Sequence, residues 1–94
     1  MALARAVTFD GVDSKRMAEL TKEIENDPRP DDIPATEILM LHDEAANSSL
    51  VVLFFENEDD YKQGDATLNA MPTGDTPGQR TSVARYNVAH RQTM

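Results

Sequence analysis

The chain has 94 residues, a formal net charge of −8, 39% hydrophobic and 28% charged residues, and no cysteine. That is the composition of one small globular domain spanning 1–94, and it excludes a disulfide framework and thiolate chemistry. The negative charge argues against nucleic acid, whose phosphates need cations, and against an anionic membrane surface.

All 17 acids lie between Asp10 and Asp75, whereas Arg5, Arg80, Arg85 and Arg91 stand in acid-free end segments. Arg5 interrupts the only apolar stretch near the N-terminus. No signal peptide or membrane span is expected, and the cytoplasm is the expected compartment.

Residues 2–9 predict a first strand, with Leu3, Arg5, Val7 and Phe9 on one face and Ala2, Ala4, Ala6 and Thr8 on the other. Asp10-Gly11 is a turn signal. Asp13 suits a helix N-cap, and Val12 with Met17 suits a hydrophobic staple. Met17, Leu20 and Ile24 then make one apolar stripe on a helix over 13–27, stopped by Pro28. An acidic, proline-rich connection follows to Pro34.

Residues 35–42 predict a second strand and 50–56 a third, joined by a polar hairpin loop from Asp43 to Ser49. The run Leu50-Val51-Val52-Leu53-Phe54-Phe55 is apolar on both faces, so both faces need cover. Asn57 caps a helix over 58–71, with Asp60 as its capping-box partner. Tyr61, Gly64, Leu68 and Met71 form its inward stripe, where Gly64 implies close approach to the sheet. Thr76-Pro77-Gly78-Gln79 has the form of a type II turn before a last strand over 81–91. On that strand Val83, Arg85, Asn87 and Ala89 share one face and Ala84, Tyr86, Val88 and His90 the other.

The order βαββαβ with right-handed crossovers gives an α+β, ferredoxin-like antiparallel sheet of order 4-1-3-2 with two helices on one face. The helices cover one of the two apolar sets of the third strand. Leaving the other in water loses roughly 1.5–3 kcal/mol per large side chain, so a homodimer is expected.

As a whole the chain resembles the dimeric α+β barrel superfamily, ferredoxin-like domains whose sheets pack face to face in a homodimer. Gly64-Asp65-Ala66-Thr67-Leu68-Asn69-Ala70-Met71 and Thr76-Pro77-Gly78-Gln79-Arg80-Thr81-Ser82-Val83 resemble a bacterial branch distantly similar to antibiotic-biosynthesis monooxygenase-type proteins. The superfamily includes cofactor-free monooxygenases, haem-degrading enzymes, isomerases and proteins without a known reaction. Its oxidative branches typically use a pocket Trp, which this chain lacks.

Among residues able to carry chemistry, His42-Asp43-Glu44 has no metal-ligand spacing and reads as a polar strand end, so no metal is expected. No other cofactor is expected either. His42 and His90, near strand ends, are candidate general bases at a pocket mouth. Tyr61, Tyr86 and the methionines Met17, Met40 and Met71 read as packing. Gly74-Asp75-Thr76-Pro77-Gly78 lacks the Lys-Ser/Thr pair and following helix of a phosphate loop.

The sharpest constellation is Arg5, Arg85 and Asn87, on adjacent strands with no acid among them. A charge between inward apolar residues serves a ligand or is paired; Glu37 or a partner-subunit acid is the candidate acceptor in the second case. The candidate ligand-binding set is therefore Arg5, Arg85, Asn87 and His42, and the expected ligand a small organic acid in a cleft between sheet and partner subunit. A cofactor-independent monooxygenase- or isomerase-like enzyme and a non-catalytic dimerisation module are the alternatives.

Overall fold

The computed structural model describes residues 2–26, 33–70 and 78–92. It has strand β1 (Leu3–Asp10), helix α1 (Ser14–Asn26), strands β2 (Glu37–Asp43) and β3 (Ser48–Phe55), helix α2 (Glu58–Asn69) and strand β4 (Gln79–Asn87). The four strands form one antiparallel sheet of order β2-β3-β1-β4, the expected order read from the other edge. This is a ferredoxin-like α+β fold.

Both helices start on the side-chain caps expected of them. Asp13 Oδ1 accepts from the Arg16 amide at 2.8 Å, and Asn57 Oδ1 from the Asp60 amide at 2.8 Å, so each satisfies an orphan donor. Asn57 Nδ2 also donates to Asp60 Oδ2 at 3.3 Å. Glu58, Asp59 and Asp60 place negative charge at the positive end of the α2 dipole. Met17 packs on Val7, Phe9 and Val12, as the staple expects, and Leu20 is buried, while Ile24 stays exposed.

Alternation decides the two faces of the sheet. Leu3, Arg5, Val7 and Phe9 pair across β3 with Phe55, Leu53, Val51 and Ser49, and these point toward the helices. Leu3, Leu53, Phe55 and Tyr61 form the main core cluster with Ile33 and Ala35. Phe55 meets Tyr61 edge-on, with ring centroids 5.4 Å apart. Gly64 lies over Phe55 so closely that a Cβ on it would come within 2.5 Å of Phe55 Cε1.

The other face is built in register rows: Glu37, Phe54, Ala4 and Tyr86; then Leu39, Val52, Ala6 and Ala84; then Leu41, Leu50, Thr8 and Ser82. No helix covers it among the described residues. Leu39, Leu41 and Tyr86 are 44%, 52% and 59% exposed.

Several expectations are corrected. The hairpin is tighter, with residues 44–47 as its loop and Asn47 left-handed at φ 51°. Asn tolerates that conformation better than most residues, and the Asn47 carbonyl accepts from Val12 N at 2.8 Å. Ile33, assigned to the solvated connection, belongs to the core. The last strand starts at Gln79 and ends at Asn87, with a register shift opposite Thr8 and Phe9. The stop at Pro28, Met71 of the α2 stripe and the start of the turn before Gly78 lie outside the described residues.

Candidate functional site

The chemistry-bearing side chains gather between α2 and the β1–β4 half of the sheet. Arg5 and Arg85 are direct cross-strand partners, and Asn87 stands opposite Leu3 on the same face. The fold thus brings three of the four candidates together. His42 is on the opposite edge strand, with β3 and β1 between.

Arg5 is only 3% exposed. Its Nε donates to Asp65 Oδ1 at 2.8 Å and its Nη2 to Asn69 Oδ1 at 3.0 Å. Asn69 Nδ2 donates in turn to Asp65 Oδ2 at 3.3 Å. Arg85 is exposed; its Nη2 donates to Glu58 Oε1 at 3.1 Å, and its guanidinium lies 5.1 Å from the centre of the Tyr61 ring. Arg80 Nη1 donates to Asn69 Oδ1 at 2.8 Å. One helix face therefore meets three guanidinium groups with two carboxylates, an amide and a phenol. Burial pushes the Tyr61 phenol above its ordinary value; the negative charge of Asp65 adds to this, while Arg5 and Arg85 oppose it.

Glu37 is not the acceptor of Arg5 or Arg85. It shares its face with Leu39 and Leu41, on the far side of the sheet from the pair, and there it binds Arg91. Arg91 also lies over the Phe54 ring, 4.4 Å from its centre. The acids that do pair, Asp65 and Glu58, come from α2.

His42 Nε2–H donates to the Val12 carbonyl at 2.7 Å, tying β2 to the turn before α1. The residue also borders a shallow depression of about 190 Å³ lined by Thr8, Leu41, Asp43 and Ser48 among others. Its neighbour Ser49 donates to the Leu41 carbonyl, so no serine–histidine pair forms there. His90 lies beyond β4 and its ring contacts Gln92. Among the described residues no three His, Asp or Glu side chains gather as a metal-binding group.

Asp65 and Asn69 are the site residues that sequence reasoning misses. They follow Tyr61 at i+4 and i+8, on the same inward stripe, so helical spacing carries the signal. Arg80 carried no such signal, because its facing depends on the irregularity in β4.

No family model matches this chain, and comparisons with curated proteins and with solved structures give no match.

Proposed function

We propose that the chain is a homodimeric binding module of the dimeric α+β barrel type, which stacks two open sheet faces and holds a small organic acid beside α2 in each copy. The observation that carries the reading is the three-row apolar face with Leu39, Val52, Ala6 and Ala84 at its middle. Such a patch, with its charges, Glu37 and Arg91 at one end and Asp43 and Asp10 at the other, outside the apolar middle, is suited to a second copy of itself. The acid is read at the helix-side edge of β4, not between the stacked sheets, because Arg5, Arg85 and Asn87 lie on the helix side.

One pair of measurements tests this. Light scattering after gel filtration is expected to give twice 10.4 kDa for wild type and a monomer for Val52→Asp, whose site is outside the helix-side core. In thermal shift against small carboxylates, a ligand at about 100 times its Kd stabilises wild type by about 2.7 kcal/mol, and Arg85→Ala reduces that shift. A wild-type monomer at micromolar concentration rejects the dimer. Equal shifts in wild type and Arg85→Ala reject the Arg85 contact.

A second reading, a dimerisation module without a ligand, is favoured by one observation: Arg5 and Arg85 already have Asp65 and Glu58 as partners. Its mark is a dimer that no carboxylate stabilises.

A further inference from the structure

β4 breaks its own alternation. Ser82 stands opposite Thr8, yet Arg80 stands opposite Phe9, so Thr81 is an extra residue and the strand is bulged there. In a regular strand Arg80 would share the open face with Ser82. The bulge turns it to the helix side, where it reaches Asn69.

Among the described residues, the environment it enters gives it a neutral oxygen and no carboxylate contact of its own. Asn69 Oδ1 receives both Arg80 Nη1 and Arg5 Nη2, so two guanidinium groups converge on one neutral oxygen. Asp65 is engaged by Arg5 and Asn69, and Glu58 by Arg85. Among the described residues Arg80 has no carboxylate partner. A guanidinium has five N–H donors, and Arg80 spends one on Asn69, which leaves its Nε–Nη2 edge for a planar anion. Val83 is on the same strand face, between Arg80 and Arg85, and is 42% exposed. An apolar surface thus adjoins the Arg80 guanidinium.

We propose that Arg80, oriented by Asn69, binds the carboxylate of a small organic acid whose apolar body lies against Val83. The proposal rests on the small-acid reading above for the kind of ligand, and makes Arg80 the principal contact, with Arg85 a weaker one.

The test titrates the 94-residue chain at low ionic strength, where exposed charges are least screened. Benzoate, acetate and inorganic phosphate are the probes, and the arginine Nε–H signals in nitrogen–proton NMR spectra are the readout. Benzoate is expected to shift the Arg80 signal saturably and to bind at least about tenfold more tightly than acetate or phosphate. Arg80→Gln is expected to weaken benzoate by about tenfold or more and Arg85→Ala by much less. Unchanged binding in Arg80→Gln, equal losses in both variants, or phosphate binding more tightly than benzoate overturns the proposal. Loss in Arg85→Ala alone overturns it while leaving the broader small-acid reading in place. Absence of saturable binding by wild type overturns both.

Discussion

Gly64 is a position where a side chain would displace a core ring. A Cβ there would sit 2.5 Å from the ring of Phe55, which is fully buried and has no room to withdraw. Gly64→Ala gains about 1 kcal/mol of helix propensity but costs about 1–3 kcal/mol of overpacking. The variant is expected to have a lower urea midpoint than wild type; a higher midpoint would mean that α2 shifts outward at little cost. Tyr61, one turn earlier, gives a pH signature. Its phenol pKa is raised in the folded state above the free value of 10.0, mainly by burial. The folded protein then holds the proton more tightly than the unfolded chain. This contribution is complete below about pH 10 and is lost as pH rises through the folded value. Wild type is therefore expected to lose stability above about pH 10 more steeply than Tyr61→Phe, measured by denaturant melts at stepped pH. Parallel curves would reject the assignment. At this scale the sequence marked Gly64 well, since a glycine on an inward stripe has few other uses. It did not mark Asp65 or Asn69, because a polar residue on that stripe looks solvent-facing until its buried partner is known.

At the scale of elements, α2 is fastened to the sheet by packing at Tyr61 and Gly64 and by the Arg5–Asp65–Asn69 network. Removing one member of a buried ion pair costs about 3–5 kcal/mol, and the 33% exposure of Asp65 puts Asp65→Ala at or below the low end of that range. The double variant Arg5→Met/Asp65→Leu is expected to recover much of the loss, because no buried charge is then left alone. A double variant less stable than Asp65→Ala, by chemical denaturation, would give the pair a net stabilising role. The order of elements and the two faces of each strand were legible because alternation and helical spacing are strong, local signals. The bulge was not. One extra residue in Arg80-Thr81-Ser82-Val83 leaves no compositional trace, yet it decides which face Arg80 serves. Ile33 was hidden for a related reason: a single apolar residue in a proline-rich stretch has no periodicity to reveal its burial.

At the scale of the molecule, the two faces of the sheet have different roles. The helix side holds the core and the arginine cluster; the open side holds Leu39, Leu41, Leu50, Val52 and Phe54 in contiguous rows. Val52 is the position that tests the proposed dimer, because it lies in the middle row, where a carboxylate is far from the polar ends of the face. Arg91, held by Glu37 over Phe54, belongs to a corner, where its charge can remain wet beside a stacked partner. That β3 is apolar on both faces was readable from six consecutive apolar residues; the outline of the open face was not, because it depends on the register of all four strands.

The position of β1 has a further consequence, in the order of synthesis. β1 is an inner strand made before both of its neighbours, β3 and β4. The hydrogen bond from Thr81 to the Thr8 carbonyl spans 73 residues. On the ribosome, β1 must wait for β3 to give it one neighbour and longer still for β4 to give it the second. Translation proceeds at about 5–20 residues per second, so for some seconds a nascent chain presents one unpaired, largely apolar strand edge. Final closure of the sheet is a late, long-range event, and the interval before it is when nascent copies on neighbouring ribosomes are most exposed to mispairing.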